Sequence, residues 1–492
     1  LTNISFKQRY IYTLFFNILN SFISFVTSII VIRYLTPAEY GNYQFLFSIF
    51  VAILTFANLN TQNGYFTFIS QKKESFSFYR DYVIWEFIQI FIVLIIVLGI
   101  YFTNIVDLFL NQDITLVILA LFAVYGTKNI RELITNTFES KRMTTFYLKS
   151  TFIINVLNLF LIVIFAINDI LNTAIIFTFI ILEFFLYLLI AIIVFLKRKD
   201  EFIEKNNKIY DFKLNFNRYF NYVKPLFFSS LIASIYLFLE RWLLQKYGGA
   251  EQQAYLSLAI QFSTIILILT TSILKIFWKE VAEHIADKNL EVLEKIFKNA
   301  IENIFIITSL ISIFFIVNAK EIILLIYGEK YLPGVIVFML ISFYTIHQTL
   351  GQLYGTFMLA SEETKSYSYI SIFFSILSIP LMFIAVSPKE IYGLELGALG
   401  IAIVMVFIQL LSVNTLGYVI KRKFGFQSIF LFQLKYLFLY GLILVALKSL
   451  VQNIFANISL NLILQISILS IILLLRYYRE LIKFMKKEKI NE

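Results

Sequence analysis

The apolar residues of this chain gather in long runs closed by charged or turn-forming residues, and neither strict alternation nor a narrow amphipathic stripe dominates. Runs of this kind suit helices that cross a bilayer core, which takes roughly 20 apolar residues per crossing. They fall at 10–32, 43–64, 82–104, 114–138, 146–167, 170–196, 219–245, 253–276, 302–318, 334–359, 367–386, 398–420, 428–447 and 458–475. The pattern predicts an all-α integral membrane protein of about fourteen transmembrane helices, and an even number puts both termini on one side. Two features are thin: only Asn168 and Asp169 divide 146–167 from 170–196, and 302–318 is short. The first run begins near Arg9 and has no Ala-x-Ala-like exit, so it reads as a retained span and not a cleaved signal.

Composition agrees. Hydrophobic residues make up 60% of the chain, charged residues 15%, and the mean hydropathy is +0.82, whereas a soluble domain carries about a quarter charged residues. The net charge of +10 belongs first to cytoplasmic loops facing anionic lipid, not to a nucleic-acid surface. With the N-terminus inside, the inner segments hold 31 of the 41 Lys and Arg and the outer loops 6, so both termini are expected in the cytoplasm. The absence of Cys excludes disulfides and thiolate metal sites, and His284 and His347, far apart, make no metal site without carboxylate help. No cofactor is expected.

Charge runs and repeats divide the chain further. Residues 197–218 are basic and Asn-rich and read as a cytoplasmic linker between two six-helix bundles, 1–196 and 219–420; 421–475 adds two helices, and 476–492 is a basic tail suited to the inner leaflet. Lys279 to Lys298, with Val281, Ile285, Leu290, Leu293 and Ile296 among its charges, reads as a helix lying on that leaflet. Ala38-Glu39 with Tyr43 recurs as Ala250-Glu251 with Tyr255, and Thr135 with Ser140 recurs as Thr356 with Ser361. An even number of spans separates each pair, so the halves are parallel repeats, an arrangement that transporters use to build a midplane cavity.

The stretch Arg33-Tyr-Leu-Thr-Pro-Ala-Glu-Tyr-Gly-Asn-Tyr-Gln-Phe-Leu-Phe47 resembles the opening of the polysaccharide-biosynthesis, Wzx-type oligosaccharide flippases. Thr36-Pro37 closes the first span, and Gly41 allows close backbone packing at the next. Glu240-Arg241-Trp242-Leu243-Leu244, Tyr327-Gly328-Glu329-Lys330-Tyr331, and Gly393 with Gly397-Ala398-Leu399-Gly400-Ile401-Ala402 resemble later motifs of that family, in the same order. Gln253-Ala254 departs from it, because a Gly is usual before the Tyr. The resemblance implies a MATE-like fold of the MOP superfamily in the bacterial cytoplasmic membrane. It also implies alternating access, a lipid-diphosphate-linked glycan (O-antigen, capsule or another surface-polysaccharide unit) as cargo, and a polysaccharide polymerase and chain-length proteins as partners.

Charges at membrane depth are functional candidates. Lys128 and Arg131 share a face of the fourth span, with Glu132 one turn from Lys128. Lys128 lies about 18 Å from the inner end, too deep to reach the interface. One reading pairs Lys128 with Glu132 inside the helix; the other turns Lys128 and Arg131 to a cavity, where they meet a diphosphate. Arg241 either joins them or pairs with Glu240 near the outer interface. Glu183 has no basic neighbour in sequence and reads as a hydrogen-bonded neutral acid or, with Glu132 and Glu240, as an ion-coupling candidate. His347 and Gln352 are candidates for glycan hydroxyls, with interhelical contacts as the rival reading; Glu86 reads as structural, and Lys435, nearer the inner end, as a lysine that snorkels to the interface.

Catalysis finds little support: there is no phosphate-binding glycine loop, nucleophile elbow or metal cluster. The chain reads as a transporter and not an enzyme, with a MATE-type cation-coupled multidrug antiporter as the alternative and a membrane polysaccharide polymerase behind it. Topology is the first thing to test. Reporter fusions at Lys213 and Lys487 are expected to score as cytoplasmic, and an external signal at either overturns the orientation.

Overall fold

The structure, a computed structural model, describes residues 6–58, 61–70, 76–103, 108–141, 143–197, 216–217, 220, 224, 227–427, 430–454, 457–471 and 473. The linker 197–218, apart from Lys197 and residues 216–217, and the tail 476–492 lie outside that set. In chain order the long helices are α1 (Phe6–Tyr34), α2 (Pro37–Asn58), α3 (Thr61–Ser70), α4 (Phe76–Thr103), α5 (Ile114–Tyr125), α6 (Arg131–Ser140), α7 (Thr144–Ile167) and α8 (Thr173–Lys197). Then come α9 (Phe227–Leu243), α10 (Ala250–Ala286), α11 (Leu290–Val317), α12 (Ala319–Ile326), α13 (Val335–Ala360), α14 (Thr364–Val386), α15 (Gly397–Phe424), α16 (Phe430–Ile454) and α17 (Ile458–Ile471). A π-helical turn, Gly126–Ile130, joins α5 to α6, and a second, Leu244–Gly248, follows α9.

No strand occurs among the described residues, and eleven helices there are long and apolar enough to cross a membrane. Of the other three expected spans, 219–245 and 458–475 run partly outside the described residues, and 253–276 lies within α10. The chain forms two compact units, Leu1–Leu258 with Ser368–Val404, and Ala259–Tyr367 with Met405–Glu492.

In the first unit the core is built from α2, α4, α5 and α8, with Phe45, Ile49, Phe50, Val117, Leu121, Val124 and Phe177 fully buried. Helix α4 shows why this is a membrane fold. Ile90, Val93 and Val97 face the core, while Phe87, Phe91, Ile92 and Ile95 are exposed on its other side. A helix apolar all round needs a lipid or protein neighbour on every face.

Helix α2 starts at Pro37, six residues earlier than the hydrophobic run implies, because a capping box overrides the run. The Thr36 backbone N–H and hydroxyl donate to Glu39 Oε2 at 3.0 and 2.8 Å, and the Glu39 N–H returns a bond to Thr36 Oγ1 at 3.2 Å. One turn on, a methyl on Gly41 would stand 1.7 Å from the carbonyl oxygen of Ala250. The turns that open α2 and α10, the two copies of the Ala-Glu echo, therefore touch backbone to backbone. The glycine-rich return before α15 is equally tight: a Cβ on Gly393 would meet the Ser387 carbonyl at 1.9 Å, and Leu396 N–H bonds to Ala385 O at 2.9 Å.

In the second unit α13 is the most enclosed helix, and Phe262, Phe315 and Phe338 form a ring cluster with Tyr327. Helix α16 packs along α11 and is anchored by Lys448, whose ammonium donates to the Val317 carbonyl at 2.7 Å and meets Glu321 at 2.7 Å. The charged stretch Lys279–Lys298 is not one surface helix. Helix α10 continues to Ala286, Lys288 turns the chain at φ 54°, and Asn289 caps α11 by accepting from the Val292 N–H at 3.3 Å. Leu293 and Phe297 then point into the core, which lengthens the short expected span 302–318 into α11.

The contact at Gly41 yields a paired prediction. Gly41→Ala forces backbone apart and is expected to cost at least the roughly 1–3 kcal/mol of core overpacking, whereas Gly99→Ala, with nothing within 4 Å, is expected to leave stability unchanged or slightly raised. Thermal melting of the two purified variants in one detergent checks this; equal melting temperatures contradict it.

Candidate functional site

The π turn at 126–130 is where the candidate chemistry of the first unit converges. Gly126 opens it and lets α8 approach, because a Cβ there would stand 2.8 Å from the Phe184 ring. The Arg131 N–H bonds back five residues to Gly126 O, which displaces the normal helical ladder. Gln62 on α3 covers the carbonyls of this turn, its amide donating to Lys128 O at 3.0 Å and Asn129 O at 3.3 Å. Asn129 is buried and donates to Glu86 Oε2 on α4 at 2.8 Å.

Arg131 leaves the turn toward α7 and α8. Its Nη1 meets Glu183 Oε1 at 3.3 Å, its Nε donates to the Tyr147 hydroxyl at 3.4 Å, and its guanidinium lies 4.8 Å from the centre of the Tyr187 ring. Asn158 donates to the other Glu183 oxygen at 3.0 Å. Glu183, without a basic neighbour in sequence, thus finds its cation 52 residues away.

Lys128 and Glu132 are both exposed, and among the described residues neither makes an ion pair within 4 Å. The two charges of the expected intrahelical pair are therefore not in contact. The π turn changes the angular offset between the two positions, and Lys128 stands uncovered near the middle of the span Ile114–Ser140.

Arg241 has a different character. Its Nε pairs with Glu240 Oε1 at 3.3 Å, its Nη1 donates to Ser257 Oγ at 2.8 Å and lies 3.5 Å from Gln253 Oε1, and Gln253 donates back to Arg241 O at 3.0 Å. Arg241 and Glu240 are nearly enclosed, with side chains 12% and 6% exposed. They staple the end of α9 to the start of α10. Gln253 is fully buried and is part of the staple.

His347 and Gln352 belong to the second unit, both on α13. His347 is buried beside Phe343, ring centres 5.2 Å apart, and Gln409 donates to its carbonyl at 3.3 Å. His347 Nδ1 and Gln352 Oε1 are buried without partners. Five residues of helix put the two side chains on different faces. Within the first unit, then, the structure joins Arg131 to Glu183 and Glu240 to Arg241. It adds Glu86, Asn129 and Gln62, which sequence reasoning did not connect.

The chain shares its fold with the Lipid II flippase MurJ in an inward closed conformation, at TM-score 0.67 and 16% identity, covering 96% of this chain and 99% of that one. It also shares it with a multidrug resistance MATE family transporter of the MOP superfamily in its inward-facing conformation, at TM-score 0.60 and 13% identity over 86% of this chain and 96% of that one. Among curated proteins none matches in sequence. The profile of the polysaccharide biosynthesis protein family matches residues 6–278, more than half of the chain. This multi-pass membrane protein belongs to the polysaccharide biosynthesis protein family.

Proposed function

We propose that the protein is a flippase that carries a polyprenyl-diphosphate-linked oligosaccharide across the bacterial cytoplasmic membrane by alternating access, with both termini in the cytoplasm. Family membership and the fold it shares with a lipid II flippase support a transporter of lipid-linked glycan precursors. The observation that carries the choice of cargo is Lys128. A lysine exposed at mid-span, with no ion pair within 4 Å among the described residues, is costly in lipid and is satisfied by a hydrated path or an anionic ligand. A diphosphate is such a ligand, and Lys128 acts on it as a point charge.

Arg131 is the second cation of this segment. Its charge is balanced by Glu183, and a third of its side chain remains exposed, which leaves donors on the guanidinium for a phosphate oxygen. Arg241 is occupied by its staple and serves the fold before the cargo. Of the carboxylates considered for cation coupling, Glu183 and Glu240 are both committed to arginines, so neither is free to exchange a cation for a multidrug substrate. His347 and Gln352, with unpartnered polar atoms, remain candidates for glycan hydroxyls in the second unit.

Export by the intact cell tests this. Loss of one charge-assisted phosphate contact costs about 1.5–3 kcal/mol, so Lys128→Ala is expected to lower glycan export about tenfold or more at unchanged protein level, while Lys128→Arg retains most of it. Parental export by Lys128→Ala contradicts the assignment. A second test separates the roles of Arg131. If it serves only to neutralise Glu183, Arg131→Ala impairs export and the double variant Arg131→Ala with Glu183→Gln restores it, because an unpaired buried charge is removed. We expect the double variant to insert normally and remain deficient.

A further inference from the structure

Glu86 is a carboxylate of the first unit that the proposed transport function does not use. It is completely buried in α4, and among the described residues it makes no ion pair within 4 Å. Asn129 donates to its Oε2, while Oε1 is buried with no partner. Gln89, three residues on and so on the same side of the helix, is 4% exposed, and neither its amide oxygen nor its nitrogen has a partner. The Tyr125 hydroxyl on α5 is buried, unpartnered and within the field of the Glu86 carboxylate. Tyr82 and Gln62 also hydrogen-bond to the carboxylate, and Tyr65 and Glu132 are the further titratable groups within its field.

Buried polar groups normally find partners, and several unsatisfied ones around one carboxylate mark a place for something small and polar. We propose that Glu86, with Gln89 and Tyr125, binds one monovalent cation, a proton or a sodium ion. The chemistry fits: carboxylate, amide and phenol oxygens are hard donors, and one positive charge neutralises the acid. A proton on Oε1 turns that atom into a donor toward the unpaired oxygens; a sodium ion takes the same oxygens as ligands.

The site bears on transport through Asn129. That residue lies in the π turn beside Lys128, and Gln62, which flanks Glu86, also holds the carbonyls of Lys128 and Asn129. Charge on Glu86 therefore acts on the segment that presents Lys128, whatever the cargo is.

Infrared difference spectroscopy of the full chain in lipid nanodiscs tests the site without any cargo, so its failure leaves the flippase assignment standing and the reverse also holds. In choline chloride at neutral pH, the parent is expected to show a protonated-carboxyl band that Glu86→Gln lacks and Glu183→Gln retains. Loss of the band on raising pH alone identifies a proton site. Loss on replacing choline by sodium at fixed pH identifies a sodium site. In either case Gln89→Leu is expected to shift the midpoint tenfold or more in proton or sodium concentration. A spectrum in which Glu86 contributes only an ionised carboxylate, insensitive to pH and sodium, overturns the proposal. A protonated band that neither condition alters overturns it too.

Discussion

A bilayer offers no water to a charge or a backbone carbonyl at mid-span, so each must be satisfied from within the protein or from a hydrated path. Much of this structure follows from that constraint. Arg131 and Glu183 neutralise each other across three helices, and Asn158 takes the remaining oxygen. Glu240 and Arg241 do the same at the junction of α9 and α10, with Ser257 and Gln253 completing the guanidinium's contacts. Where a π turn disturbs the helical ladder, Gln62 supplies donors to its carbonyls. Lys128 stands apart from this pattern, and its exposed mid-span position is what gives it functional weight.

The pairs also explain why the helices hold one register. A buried ion pair contributes little net stability, because desolvation consumes most of its Coulombic gain, but breaking one partner is strongly unfavourable. Such pairs penalise wrong arrangements more than they favour the right one. Glycine sets the complementary constraint: at Gly41 and Gly393 the backbones approach so closely that no other residue fits. Close backbone approach fixes α2 against α10, and α14 against α15, within the first unit.

The spans were legible because bilayer thickness writes itself into run length. Thr36, Pro37 and Glu39 spell a capping box, yet Tyr40, Gly41 and Asn42 dilute the run, so periodicity alone places the start of α2 too late. The Lys128 to Glu132 spacing looks like an ion pair in an ideal helix, and a π turn between the two has no sequence signature. Arg131 with Glu183, and Asn129 with Glu86, join residues 52 and 43 positions apart, which a single sequence does not reveal. The Lys279–Lys298 stretch looked amphipathic because it holds the ends of two helices, each with one buried side, separated by the turn at Lys288 and Asn289.

The central claim is that a diphosphate, held by a cation at mid-span, is what the protein recognises. Purified protein in proteoliposomes, offered the same short glycan on polyprenyl diphosphate or on an uncharged polyprenyl ether, tests it most directly. The account predicts protein-dependent crossing of the diphosphate-linked glycan and little crossing of the uncharged one. Equal crossing of both would contradict it.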